Sequence, residues 1–535
     1  MKNPAFLQTL ITLALATAAF VHGATPWSAA EQSAAEAAVA QMSVRQKAGR
    51  VLMTRITDQA SGAALISQIN LGGVILFSNN VQSNSQVASL NANLTATYNN
   101  LKVPGGAPLL ISVDQEGGIV ARVQEAAGAT EFPTFMTHGS ANQTSLTSDA
   151  FAASAEELLS MGFNMVAAPD ADVTIGPSDP TIGSRSAGSI PAQVGNLVNA
   201  ALAGQKQIGI VGQIKHFPGH GAVNTSSEVT LPVQYESLAQ MKARDLIPFQ
   251  QAIAAGVPSI MVAHLLIPAL DNQHPSSLSP AAISLARNDY GFEGVLSTDS
   301  LGMGAITSQY GNDPSGATAA VAALQAGQDL LLMPPDPVKA HTAIVQAIYG
   351  GNLPVARLDE AATRVTALAL YSARMRANKY GSSSGKPALS VMGSAAHKQA
   401  SYAASLAGLV VTNGPCTGSL LPSGAKAVQV VGSSSTSRAR FTAAAQAAGL
   451  SVTSGAATVV GLAGYGATSF PSGTTIAVAL DTPYVLNTTS ASTRVALFGQ
   501  TPQAFQALVD VLTGKAQGSG RLPVTVNGLQ RASCK

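Results

Sequence analysis

Between residues 30 and 375 short apolar runs alternate with amphipathic stretches, and the runs repeatedly end in a polar residue or a glycine. No other feature constrains the fold as much: a strand-length run followed by a stretch of helical period makes a βα unit, and repeated units pair their strands in parallel. The candidate strands are Gly72–Phe77, Pro108–Val113, Phe163–Ala168, Ile208–Ile214, Ser259–Ala263, Gly294–Leu296 and Asp329–Met333. Helical patterns fill the gaps at Pro191–Gln207, Ser237–Ala255, Ala317–Gln328 and Pro337–Tyr349. This number of units predicts a (β/α)8 TIM-type barrel, with an open doubly wound sheet as the competing topology.

A chain of 535 residues exceeds what one apolar core usually organises, so a second domain is expected. The pattern lapses near Lys379–Lys386 into small residues, a connector composition. Beyond it, Gly408–Val411, Ala427–Val431, Thr458–Leu462, Thr475–Leu480, Thr493–Phe498 and Leu522–Val526 read as strands, and Ser437–Ala448 and Pro502–Leu512 as helices. The expected organisation is a signal peptide over 1–23, a barrel over 30–377, a linker over 378–395 and a smaller α/β sandwich domain over 396–535. The glycine cluster Gly461–Gly466 lacks the full dinucleotide fingerprint and reads as a turn.

Composition excludes several classes of function. With 46% hydrophobic and 10% charged residues the chain can bury a large core. Its 29 basic and 27 acidic residues are spread without a dense Lys/Arg block, which argues against a nucleic-acid partner. Met1–Gly23 carries Lys2, an apolar stretch from Leu7 to Val21 and small residues before Ala24, the pattern of a cleaved secretory signal, so a secreted or periplasmic protein is expected. No later apolar run reaches the roughly 20 residues of a spanning helix, so no integral membrane span is expected in the mature chain. Cys416 and Cys534 leave two readings open, one disulfide or two buried thiols, and neither has metal-site spacing.

Chemistry concentrates where the runs end. Lys215-His216 is followed by Pro218-Gly219-His220-Gly221, an abrupt turn of little bulk that offers fixed donors to sugar hydroxyls. Asp299 ends Gly-Val-Leu-Ser-Thr and precedes Ser-Leu-Gly-Met-Gly; a carboxylate there can attack an anomeric carbon, or can simply cap a helix. Asp114, in Asp-Gln-Glu-Gly-Gly, ends an earlier run and could hold two adjacent hydroxyls, with Arg122 in reach. Asp172 and Arg185 complete a polar rim or form an internal salt bridge, and His264 reads equally as a core histidine or a ligand contact.

Together Asp-Gln-Glu-Gly-Gly at 114–118, Ile-Gly-Ser-Arg-Ser at 182–186, Lys-His-Phe-Pro-Gly-His-Gly at 215–221 and Ser-Thr-Asp-Ser-Leu-Gly-Met at 297–303 resemble the β-N-acetylhexosaminidase branch of glycoside hydrolase family 3. The resemblance covers most of the expected barrel, from Gly72 to about Pro335. It implies a barrel often followed by an α/β sandwich domain, an exo-acting retaining β-glycosidase, Asp299 as nucleophile, and Asp114, Arg185, Lys215, His216 and His264 as sugar-binding positions. That chemistry needs no metal or organic cofactor, and the implied substrate is β-linked N-acetylglucosamine on peptidoglycan or chitin-type fragments.

Two positions depart from the branch. Where it carries Asp-Ser-His, whose histidine is the acid/base, this chain reads Ser226-Ser227-Glu228, and Ile119 stands in place of an arginine. A glutamate of raised pKa can shuttle a proton, which makes Glu228 the candidate acid/base. Three other readings stay open on the sequence: a family 3 enzyme for glucose or xylose, a catalytically impaired glycan-binding protein, and a phosphorolytic enzyme.

Overall fold

The computed structural model describes residues 24–529 apart from residue 416. The expected signal peptide and the pairing of Cys416 with Cys534 lie outside the described residues.

Eight short strands carry the first part of the chain: β1 Leu52–Arg55, β2 Gly73–Leu76, β3 Leu110–Val113, β4 Met165–Val166, β5 Val211–Phe217, β6 Ser259–Val262, β7 Val295–Thr298 and β8 Leu331–Leu332. They form two parallel four-stranded sheets, ordered β8-β1-β2-β3 and β4-β5-β6-β7. Hydrogen bonds also run between the sheets. Asn164 and Ala167 N–H donate to Ile111 and Val113 carbonyls at 3.0 and 3.0 Å beside β3 and β4, and Thr298 and Leu301 N–H donate to Leu330 and Leu332 at 3.0 and 2.9 Å beside β7 and β8. One apolar cluster takes Met53, Ile75, Leu110, Met165, Val211, Met261, Val295 and Leu332, a side chain from each strand. A larger cluster packs the other strand faces against the helices.

A mixed α/β fold with parallel sheets is therefore present, and several details differ from the sequence reading. β1 is absent from the candidate strands, because its four residues follow directly on the helix Val44–Arg50 and no turn residue separates them. The run Ile208–Ile214 divides: Ile208 closes the helix Pro191–Ile208, Gly209 caps it at φ 97°, and the strand begins at Val211. Ser237–Ala255 is two helices, Leu238–Ala243 and Ile247–Ala254, broken where Arg244 leaves helical geometry ahead of Pro248. The helix Val355–Tyr380 runs through the expected linker start and ends only at Gly381 (φ 78°).

Taking the two linked four-stranded sheets together as the first, the second sheet comprises β9 Val410–Asn413, β10 Ala427–Gly432, β11 Ser451–Val452, β12 Val459–Ala463, β13 Ile476–Ala479 and β14 Thr493–Ala496, in the order β9-β14-β13-β12-β10-β11. Only the β9–β14 pair is antiparallel. The sheet has its own apolar core, to which the helix Pro502–Leu512 contributes Phe505, Leu508 and Leu512. Leu522–Val526 forms no strand although Leu522, Val524 and Val526 are buried; Pro523 has no N–H to give a ladder. Among the described residues no helix is long and apolar enough to cross a membrane.

Candidate active site

A cavity of about 380 Å³ opens at the carboxyl ends of the first eight strands. Its walls include Asp114, Arg122, Arg185, Lys215, His216, Glu228 and Asp299, residues drawn from loops far apart in the chain. Asp114 directly follows β3 and Asp299 directly follows β7. Lys215 and His216 lie within β5, where the pairing with β6 slips between Ile214 and Phe217. A regular strand would send neighbouring side chains to opposite faces, and this irregularity lets both line one cavity.

Charges are paired tightly. Lys215 Nζ reaches Asp114 Oδ1 at 2.8 Å and Glu116 Oε1 at 2.7 Å. Arg185 grips Glu116 with two parallel bonds, Nε to Oε2 at 2.8 Å and Nη2 to Oε1 at 2.9 Å, the fork geometry that fixes a guanidinium most firmly. Burial opposes ionisation of Glu116, but Arg185 and Lys215 outweigh it and hold the carboxyl well below its ordinary value. Arg122 stands 3.5 Å from Asp114 Oδ2 and 5.4 Å over the Phe77 ring.

Beneath this layer Asp172 is wholly buried. Its Oδ2 accepts from His216 Nδ1 at 2.7 Å and from the His216 N–H at 3.2 Å, and its Oδ1 accepts from the His220 N–H at 2.6 Å. His216 Nδ1 thus carries a proton toward Asp172, and Nε2 lies 3.3 Å from Arg185 Nη2. Asp172 therefore orients two histidines and does not line the cavity, contrary to its placement as a substrate contact. Asp170, Asp172 and His216 have ligand atoms within 4.8 Å of one another. Yet Arg185 lies 3.6 Å from Asp170 Oδ2, and burial followed by repulsion from Asp172 pushes the Asp170 carboxyl well up, so the trio suits internal hydrogen bonding better than a cation.

His264 is fully buried as well. Ser277 Oγ lies 2.6 Å from Nδ1, and Nε2 donates to the Ser300 carbonyl at 2.9 Å, so both ring nitrogens are used inside the fold. The core reading of His264 is the one the geometry carries. Its ring sits under the Asp299–Ser300 backbone and steadies it from behind.

Asp299 and Glu228 differ in environment. Burial raises the Asp299 carboxyl, but the His216 and His264 imidazoles, the Ser300 N–H (2.7 Å to Oδ1) and Lys215 together hold it below its ordinary value. Glu228, exposed at the mouth, is raised by partial burial and then by the charge of Asp299. Its loop is tied to the segment after Asp299: Gly304 N–H donates to the Glu228 carbonyl at 2.9 Å and Ala305 N–H to Ser227 at 3.1 Å. Only glycine permits that approach, since a Cβ on Gly304 would lie 2.3 Å from the Val229 carbonyl oxygen. His220 Nε2, 3.0 Å from Ser227 Oγ, braces the same loop from below.

Sequence reasoning passed over Glu116, Asp170 and His220. Glu116 carried a signal, because it lies two residues beyond Asp114 in extended chain and so on the same side. His220 carried one as well, since it lies in the Lys-His-Phe-Pro-Gly-His-Gly motif, whereas for Asp170 there was none, because its role comes from Arg185, which only folding brings near.

The model of the glycosyl hydrolase family 3 N-terminal domain matches residues 43–368. A β-hexosaminidase A of Pseudoalteromonas piscicida is 36% identical over 301 residues, 53% of this chain and 49% of the relative, so the chain spans about half the length of that protein. The β-hexosaminidase LpqI of Mycobacterium tuberculosis is 31% identical over 337 residues, 60% of this chain and 81% of its own. Among solved structures, a glycoside hydrolase family 3 β-N-acetylglucosaminidase from Paenibacillus sp. is similar at a TM-score of 0.80 and 27% identity, covering 91% of this chain and 99% of that one. Strand order, cavity and family model agree, and the chain belongs to glycosyl hydrolase family 3.

Proposed function

We propose that the protein is an exo-acting retaining β-glycosidase that releases terminal β-linked N-acetylglucosamine from peptidoglycan or chitin-type fragments. In this reading Asp299, kept ionised, attacks the anomeric carbon while Glu228, kept protonated, gives its proton to the departing oxygen. Water, deprotonated by Glu228, then frees the sugar from Asp299. Lys215, Asp114 and Arg122 take the sugar hydroxyls, Arg185 and His216 complete the wall, and Glu116 and Asp172 hold them in register.

One observation carries the reading: two carboxyl groups line a single cavity and are displaced in opposite directions, Asp299 down and Glu228 up. The coupling also suits both steps. Esterification removes the charge of Asp299, which lowers Glu228 again and keeps it ionised, the form a general base needs for the second step. The sugar identity is supported by the names of the relatives.

Two coarser features go with this reading. The bonds at both sheet edges, together with the cluster drawn from all eight strands, support closure of the two sheets into one eight-stranded barrel. Residues 30–377 would then form the catalytic unit and 396–535 the second one, and the Met1–Gly23 segment would direct export. Trapping with a 2-fluoro sugar tests the chemistry: a covalent adduct is expected on Asp299, and an adduct on any other residue rejects the nucleophile.

A further inference from the structure

A second cavity, about 610 Å³, adjoins the first, and Arg55, Glu228, Ser300, Met303 and Met333 line both. Glu228 is the informative member. A general acid must reach the glycosidic oxygen, and that oxygen lies between the sugar being cleaved and the group that leaves. If the first cavity holds the sugar, the space on the other side of Glu228 holds the leaving group. Its floor suits a ring's apolar face, for it is built from Leu65, Met303, Met333, Pro334 and Pro335.

Charge narrows the choice further. Arg55 ends β1 exposed, and among the described residues its guanidinium has no hydrogen-bond or ion-pair partner. The other charged group on that wall, Asp336, is already engaged: Oδ1 caps the Val338 and Lys339 N–H groups at 3.1 and 3.0 Å, and Oδ2 faces Lys339 Nζ at 3.6 Å. Glu228 is held toward its neutral form. The second cavity therefore presents one planar, bidentate cation without a partner among the described residues, beside a glutamate whose charge is disfavoured by burial and by Asp299.

Resting on the proposed hydrolysis, we propose that this cavity is the leaving-group subsite and that Arg55 selects leaving groups carrying a carboxylate. Arginine matches a carboxylate with two parallel donors, so the preference requires an anion at a defined place on the leaving ring.

The test uses N-acetylglucosaminyl-β-1,4-glucuronic acid and its methyl ester, which differ by one charge. Their affinities are measured by calorimetry in the Asp299→Asn protein, with Arg55 intact, Arg55→Ala and Arg55→Lys. With Arg55 intact the acid should bind about tenfold more tightly than the ester; Arg55→Ala should bring the ratio close to one and Arg55→Lys should keep part of it. Equal affinity for acid and ester, or a preference that survives Arg55→Ala, overturns the proposal. So does displacement of both sugars alike by inorganic phosphate, which would assign Arg55 to a free anion. The hydrolytic reading fails separately, if wild type leaves p-nitrophenyl N-acetylglucosaminide uncleaved, and the binding comparison still decides on Arg55.

Discussion

At the scale of single residues, the proposed chemistry depends on two carboxyls of one cavity whose pKa values are displaced in opposite directions. In the proposed mechanism Asp299 must be ionised to attack, so kcat/KM should fall as pH drops through its lowered pKa; Glu228 must be protonated, so kcat/KM should fall as pH rises through its raised one. A bell-shaped profile is expected, its alkaline limb lying above the ordinary glutamate range. In Glu228→Gln that limb should vanish. The same variant should lose about 10²- to 10⁴-fold in kcat/KM on disaccharides, whose leaving oxygen needs a proton, and little on 2,4-dinitrophenyl glycosides, which need none. Equal losses on both substrates would remove Glu228 from the role. In this reading Glu228 acts without the aspartate that orients a histidine, because burial and Asp299 raise its pKa.

At the scale of elements, two short connections carry unusual weight. Gly304 lets the Glu228 loop sit on the segment following Asp299. Gly304→Ala places a methyl group against the Val229 carbonyl, and should lower kcat/KM on disaccharides by about 10²-fold while the melting temperature changes little. Unchanged kinetics would show that the loop finds its catalytic position without that anchor. The second connection follows the helix Val355–Tyr380. There His397 donates to Glu157 Oε1 at 2.9 Å and to Glu156 Oε2 at 3.0 Å, while Glu157 also accepts the Thr130 and Gly393 N–H groups at 2.8 and 3.0 Å. Burial lowers the His397 pKa, but the two carboxylates outweigh it and raise it above its ordinary value. A raised histidine stabilises the fold fully below its unfolded pKa and loses that contribution as pH rises through the folded one. Thermal stability should therefore decline across that window in wild type, and the decline should flatten in His397→Gln.

At the scale of the whole molecule, the second sheet reaches the catalytic cavity's wall indirectly. Asp481, just after β13, is hydrogen-bonded to Ser184 Oγ, and Ser184 precedes Arg185 in the turn Gly183–Arg185. Thr134 and Thr137 hydroxyls donate to the Phe498 carbonyl at 2.7 and 3.1 Å, and Ser140 to the Gly408 carbonyl at 2.7 Å, so the two parts meet along a polar seam. Asp481→Ala should loosen the Arg185 turn and lower kcat/KM about tenfold, with Asp481→Asn restoring much of it through the same hydroxyl. Full activity in Asp481→Ala would confine the second sheet to packing.

The sequence by itself determined the alternation of strand and helix and pointed to Asp114, Lys215, His216, Asp299 and Glu228, which the structure brings to one cavity, because periodicity and motif spacing are local properties of the chain. It also pointed to the second α/β unit, though not to the break at Arg244 ahead of Pro248 or to the failed strand at Pro523. Tertiary structure alone decided that Asp172 and His264 work from behind the cavity, that Glu116 clamps Arg185 to Lys215, and that Arg55 lines a second cavity without a partner among the described residues. Those outcomes depend on which groups become neighbours once water is excluded. A residue's charge is written in its own side chain, but its pKa and its partners are set mostly by residues tens of positions away.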